Sequence, residues 1–343
     1  MPSSPSAVTL SAPSRQHSAA SLVRVALVEP ASTVDEALAL AQLLGSHGVF
    51  PGEGRTAELW ETLATISARD LGVARAIEPH LDALAILHQA GADDRVGTGT
   101  WGVFAAEGGG DPLTERNGHL TGTKAWCSLA DRLDNALVSA HVGDSEERQL
   151  YSVALRDEGI TVPSDHWHAR GLVEIPSGPV RFSAVAATGV GERGWYLDRP
   201  GFAWGGIGVA ACWYGGAVGL ARTLFTATQA SAGPFSLAHL GAVDARLSDA
   251  RRALAEAASL VDGGYATGHD GSLLALRVRD TVAGACDQVI RRVGRALGPG
   301  PLAVDEAHAK RVADLTLYLR QHHAEKDEAA LGSQLLEGSA EPW

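Results

Sequence analysis

The chain has 343 residues, with 28 basic against 40 acidic side chains for a net charge of −12, and is 45% hydrophobic and 20% charged. A chain of this length fills two or three domains at roughly 100–200 residues each, with a sizeable core. The acidic balance argues against gripping a phosphate backbone, and only three lysines (Lys124, Lys310, Lys326) leave no polybasic segment for a membrane surface.

Residues 1–22 are rich in Ser, Ala and Pro and contain no acid. They show no basic, apolar and small-residue succession of a secretory leader, so the reading is a disordered tail over 1–30 of a cytoplasmic protein. Cys127, Cys212 and Cys286 are too scattered for a disulfide framework or a metal pair. From 33 to 90 the pattern is helical: Leu59, Leu63, Ile66, Val73 and Ile77 recur at three- and four-residue spacing. Thr33 or Asp35 caps the first helix, and GVFPGEG (48–54) breaks the pattern. A helical domain over 31–97 follows. Across 98–198, β-prone runs (136–140, 150–155, 180–185) alternate with turn clusters (108–112, 143–147, 176–179), which predicts an antiparallel β domain. Residues 201–221 are uncharged, 21 in a row with seven glycines. That is long enough for a membrane span, but no basic flank accompanies it. Gly215 and Gly219 give such a helix a flat groove for a neighbour, so a buried bundle helix is predicted. Further helices are predicted at about 240–263, 272–297 and 304–331, completing a four-helix bundle over 199–335 before a tail at 336–343. The fold class is α+β with segregated regions.

Four segments carry a resemblance in this same order: WGVFAAEGGGD (101–111), GHLTGTKAWCSLA (118–130), WHARGLVEIPSGPVRFSAV (167–185) and the helical tail 294–332. Together they resemble the acyl-CoA dehydrogenase family of flavoproteins. The resemblance implies an FAD held by the β domain and the bundle, and a homo-oligomer (dimer or tetramer) assembled through the bundle. Trp101 opens the first flavin-contacting segment, and Val103 stands where backbone groups meet the ring. Trp126 stands where an aromatic residue packs on the flavin, and Ser128 where a hydroxyl points to N5. Other positions depart from the family. Phe104 replaces a Thr, Gly110 a pyrophosphate-binding Ser, and Arg295 a Gln three residues before Gly298. The arginine segment of the second bundle helix survives only as Gly233–Phe235.

In this family, desaturation of an acyl-CoA thioester needs a carboxylate for the Cα proton and flavin N5 for the hydride. The two places where the family carries that carboxylate correspond here to His322, eight residues after Asp314, and to Val209. Glu325 is a weaker candidate base if its segment stays helical. His322 supports an alternative, a flavin monooxygenase acting on an aromatic or amine substrate with a partner reductase. A non-enzymatic relative acting as a binding or assembly module is the third reading. The expected partners are acyl-CoA or another small molecule and an electron-transfer protein, not nucleic acid or membrane. No metal is expected: His166, His168 and Asp165 read as surface, and no GxSxG, Walker A or HExxH motif occurs.

Overall fold

The computed structural model describes residues 6–10, 21–108, 111–337 and 341. Four helices come first: α1 (Leu22–Val28), α2 (Val34–Gly45), α3 (Thr56–Arg69) and α4 (Leu71–Gln89). Helix α1 corrects the expectation of disorder throughout 1–30. Its Leu22, Val23 and Ala26 are buried, Leu22 N–H donates to Glu58 (2.8 Å), and Arg69 donates to the Ala26 carbonyl (3.1 Å). Val8 and Leu10 are buried too, their N–H groups donating to Thr65 (2.9 Å) and Glu61 (2.7 Å) on α3. Thr33 caps α2 in a capping box with Glu36, and the Asp70 carboxylate caps α4 by accepting from Gly72 and Val73. The apolar stripe of α3 and α4 (Leu59, Leu63, Ile66, Val73, Ile77) is buried as its spacing requires.

The middle of the chain holds β1 (Trp101–Phe104), β2 (Thr114–Arg116), β3 (His119–Ser128), β4 (Asn135–Val142), β5 (Arg148–Ala154), β6 (Ile160–Thr161), β7 (Ser177–Ala186) and β8 (Thr188–Val190). They form one sheet of order β6-β7-β3-β2-β4-β5-β8, with β1 on β4. The sheet is mixed rather than purely antiparallel, because β1 and β2 both run parallel to β4. One irregularity positions the site. Pairing between β3 and β7 jumps from Lys124↔Val180 to Cys127↔Gly178, so Ala125 and Trp126 face only Pro179. Pro179 has no N–H to give the ladder, and the extra residue is absorbed as a bulge that re-aims its side chain. Trp126 accordingly adopts φ 58°.

After the short α5 (Trp195–Asp198), the bundle comprises α6 (Pro200–Ala230), α7 (Pro234–Asp262), α8 (Gly268–Leu297), α9 (Gly300–Val304), α10 (Glu306–Tyr318) and α11 (Glu325–Glu337). The helix expected over 304–331 is broken: a 3-10 turn at Leu319–Gln321 and an extended His322 separate α10 from α11. Among the described residues, no helix is long and apolar enough to cross a membrane. Helix α6 instead lies against α3 in backbone contact. A Cβ on Gly215 would come 2.2 Å from the Ala64 carbonyl oxygen, and one on Gly219 would come 2.7 Å from that of Ala68. Gly215→Ala should therefore cost roughly 1–3 kcal/mol in urea unfolding, as overpacking does. Gly241→Ala, in open space on α7, should stabilise by up to about 1 kcal/mol. Equal effects at the two positions would contradict the close approach.

Candidate active site

Helix α4 is apolar along most of its length, yet it carries Arg75, Glu78 and Asp82 at i, i+3 and i+7, on one face. Pro79 sits among them and deprives the Arg75 carbonyl of its helical hydrogen bond. Arg75 reaches the sheet, donating to the Ser128 hydroxyl (2.9 Å), which also pairs with Ser177 (2.7 Å). The Arg75 guanidinium lies 5.7 Å from the centre of the Tyr318 ring at the end of α10. Tyr318 meets Trp213 of α6 edge-on (6.3 Å), and Trp213 meets His322 edge-on (6.4 Å). From α8, Arg279 covers the Trp213 ring at 4.8 Å and donates to the Gly206 and Gln321 carbonyls (both 2.8 Å). A continuous path of contacts thus runs from Ser128 on the sheet to His322 beyond the bundle's fourth long helix.

Several polar atoms along this path lack partners among the described residues. The Trp213 indole N–H and His322 Nε2 are buried without a hydrogen bond, and the Tyr318 hydroxyl has none beyond the Cys212 thiol beside it. The carboxylates of Asp280 and Asp327 both stand 3.9 Å from His322 Nε2, too far to bond it. Buried polar groups are usually satisfied, so these unpartnered atoms make the path a candidate site. Glu78 is only 9% exposed and makes no hydrogen bond or direct ion pair among the described residues. Burial, then the nearby Asp82 charge, push its carboxyl up to about 7 against the pull of Arg75 and Arg279.

The sign of the Glu78 effect on folding follows. An unfolded Glu releases its proton near 4.3 while the folded one holds it to about 7, so stability falls as pH rises through this window. Above pH 7 the full cost is roughly 3 kcal/mol. Glu78→Gln should abolish this slope and, relative to the native chain, gain stability between pH 5 and pH 8. Parallel pH profiles of unfolding free energy for the two proteins would contradict the assignment.

The residues singled out by sequence are distributed unevenly. Trp126 leans out of the bulge with 60% of its surface exposed, two residues from the polar path at Ser128. Trp101 and Phe104 are buried, the Trp101 N–H groups bonding His80 Nδ1 (3.2 Å) and the Val96 carbonyl (2.9 Å), so their side chains are part of the core. Val103 is half-buried, and Gly110 lies outside the described residues. Lys124, buried, ties Glu107 (2.9 Å) to Ser139 (2.8 Å) and so anchors the start of the 105–108 segment. Arg295 is exposed in the last turn of α8, and Gly298 closes that helix at φ 67°. Phe235, at the start of α7, is almost fully exposed. Glu325 does not share a face with His322: the chain turns at Ala324 (φ 47°) and leaves Glu325 exposed. Asp327 takes the place expected for it, accepting from the His323 N–H (3.0 Å) while facing His322. His166 and His168 are exposed. Sequence reasoning missed Arg75, Glu78, Trp213, Arg279 and Tyr318. The one local signal was three charges at helical spacing in an otherwise apolar helix.

A second polar cluster joins the three regions of the chain. The Lys310 ammonium of α10 contacts Asp70 (3.0 Å), Glu174 (2.7 Å) and Asp314 (2.6 Å). The three carboxylates could otherwise hold a cation, since their ligand atoms all lie within 4.8 Å of one another. Burial pulls against the lysine's charge, but the carboxylates outweigh it and raise its pKa. Beside them, Gly171 abuts the Ala313 carbonyl, and Leu172 N–H donates to Asp314 (2.6 Å).

With helices, a mixed sheet and a closing bundle arranged in this way, the chain has the acyl-CoA dehydrogenase-like fold. No family model matches it, and no curated protein is significantly similar to it in sequence. Solved structures share its architecture throughout. TdsC from Paenibacillus sp. A11-2, a dibenzothiophene monooxygenase solved with FMN and indole, superposes with a TM-score of 0.74 at 17% identity, over 92% of this chain and 96% of that one. A nitrososynthase from Micromonospora carbonacea var. africana gives 0.75 at 16%, over 98% and 100%. Butyryl-CoA dehydrogenase from Megasphaera elsdenii gives 0.74 at 16%, over 88% and 89%.

Proposed function

We propose that this chain is a flavin-dependent oxidoreductase of the monooxygenase type, with His322 as a proton-transfer group, rather than an acyl-CoA desaturase. The observation that carries this reading is the absence of a carboxylate at both desaturase positions. Val209 packs against the core, and His322 stands buried beside Trp213 with an unpartnered Nε2. Among fold neighbours, a monooxygenase solved with FMN and indole supports the same direction.

The residues present fit the ring end of a flavin. The exposed Trp126 indole offers an aromatic surface beside the Ser128 hydroxyl, and the bulge that creates it costs conformational energy with no packing return. No arginine occurs between Arg222 and Arg246 to grip a second phosphate, so FMN is the expected form over FAD. When bound, a flavin supplies the two-electron chemistry that side chains cannot. The chain's own groups do the rest. Arg75 holds the Ser128 hydroxyl in place, Trp213 and Tyr318 wall the interior, and His322, flanked by Asp280 and Asp327, donates or removes a proton. Electrons would come from a reductase partner, and the exposed Phe235 fits assembly of copies through the bundle.

The test is an absorption spectrum of purified protein after incubation with excess FMN or FAD and gel filtration. Retained flavin bands near the usual ~370 and ~450 nm, not bleached anaerobically by acyl-CoA, are expected. Bleaching by acyl-CoA would restore the desaturase reading. A colourless protein that takes up neither flavin would leave a binding or assembly module as the better account.

A further inference from the structure

We propose that Asp280 carries the His322 proton to and from solvent, through the groove between α7 and α8. This deepens the reading of His322 as a proton-transfer group and rests on it. The His322 side chain is 8% exposed, and its Nε2 is buried without a hydrogen-bond partner among the described residues. A buried imidazole that gives or takes a proton in each turnover needs a path back to water, or it stays in the wrong charge state. Two carboxylates stand 3.9 Å from Nε2, and they differ in what else they do. Asp327 on α11 is 18% exposed and already accepts from the His323 N–H (3.0 Å) and pairs with the His323 ring (3.2 Å). Asp280 on α8 is 46% exposed and makes no hydrogen bond or closer ion pair among the described residues. Asp280 also lines a groove of about 680 Å³ between α7 and α8. One carboxylate therefore faces both the buried imidazole and the groove.

The groove leaves this carboxylate available. Small residues such as Ala242 on α7 and Gly284 on α8 line it, so room remains for water beside Asp280. The charged groups that share the groove are engaged or distant. Arg246 binds Asp249 (3.1 Å), and Arg291 and Arg292 lie about three helical turns further along α8. On the interior side, Arg279 donates to the Gly206 and Gln321 carbonyls, and His323 is held by Asp327. At 3.9 Å the Asp280 and His322 pair is too long for direct transfer, and the unbonded, half-exposed Asp280 side chain is free to turn toward the ring. The step then balances as follows. When the His322 ring has taken a proton from substrate and carries both N–H groups, the proton at Nε2 passes to an Asp280 oxygen. The N–H bond breaks, its electron pair stays on the ring nitrogen, and an O–H bond forms. The Asp280 carboxyl releases the proton to water in the groove and returns to a carboxylate. Donation by His322 runs the same steps in reverse.

The test follows the His322 ring protons by NMR in the full chain carrying isotope-labelled histidine, at pH 6 and without substrate. The His322 signals are assigned by their absence from His322→Gln. Asp280→Asn should slow their exchange with water about tenfold or more, and millimolar formate, a carboxylate small enough to enter the groove, should restore it. Asp280→Glu and Asp327→Asn should both exchange nearly as fast as the native chain. Unchanged exchange in Asp280→Asn, a slowing that formate does not relieve, or an equal slowing in Asp327→Asn would overturn the relay. Melting temperatures of the Asp280 variants should stay near native, since the side chain holds nothing in place. Flavin-loaded, chemically reduced protein gives a second readout. Asp280→Asn should turn over indole more slowly with KM unchanged, and formate should relieve this too; a loss that formate leaves untouched would count against the relay. A chain that takes up no flavin would sink the oxidoreductase reading, while the exchange measurement, which needs no flavin, still decides the relay.

Discussion

Replacing Lys310 by methionine should lower stability by roughly 2–4 kcal/mol, the largest loss expected from any single change outside the apolar core. The methionine keeps most of the aliphatic volume and removes the one ammonium shared by Asp70, Glu174 and Asp314. Asp314 is almost fully buried, so its charge has no water to fall back on. Asp70 and Glu174 keep some contact with solvent, which holds the figure below that of a fully buried network. Two further signatures separate this from loss of packing. The deficit should shrink as pH falls from 7.5 toward 4.5, because protonated carboxyls no longer repel one another. Millimolar calcium should raise the variant's melting temperature while leaving the native chain unmoved, since the three oxygens are already spaced for a cation. A melting curve identical to that of the native protein would show that the carboxylates relax apart and that the cluster carries no stability.

The second large effect is catalytic. His322→Gln should reduce turnover about 10²–10⁴-fold, the range for losing a positioned proton-transfer group. Glutamine can still pack beside Trp213 and form hydrogen bonds but cannot exchange a proton at pH 7, so flavin content and melting temperature should stay near native. Indole, present in one fold neighbour's complex, is the first substrate to try, with the chain flavin-loaded and chemically reduced. Asp327→Asn tests the positioning side of the same site. Asp327 holds the His323 backbone and faces His322, so its loss should lower turnover less than His322→Gln does. Turnover unchanged in His322→Gln would remove His322 from the mechanism.

Much of the fold was legible because its determinants are local. The 3.6-residue spacing from Leu59 to Ile77 gives α3 and α4, the Thr33–Glu36 capping box starts α2, and the paired glycines of α6 announce a close helical neighbour. The order of four motif segments added the fold itself. What escaped depends on distant partners. The seven residues of α1 form a helix because Glu58 and Arg69 hold its ends, and a stretch that short carries no signal of its own. The break at 319–324 contains neither Gly nor Pro. It is set by Asp327 reaching back to the His323 N–H, a contact that the helical pattern over 304–331 does not announce, and with the helix broken Glu325 is a surface residue. Likewise Trp101 and Phe104 both turn into the core, on opposite faces of β1: Trp101 packs with Ala83, Leu84 and Leu87 of α4, and Phe104 joins the main core, and which helix covers a strand face is not written in the strand. The interior polar path joins α4 to residues more than a hundred positions away, and no local pattern could have linked Arg75 to Arg279.

The contact between α6 and α3 has a bearing on how anything reaches that interior. Where Gly215 and Gly219 meet the Ala64 and Ala68 carbonyls the nearest contact is with helix backbone, and two backbones so close resist sliding as well as parting. Small molecules cannot pass between α3 and α6 at this contact without prising the two helices apart. The irregular backbone lies elsewhere, at the bent segment that carries His322 and at the bulged strand that carries Trp126, so whatever freedom the fold has is placed beside the candidate site and not across this seam.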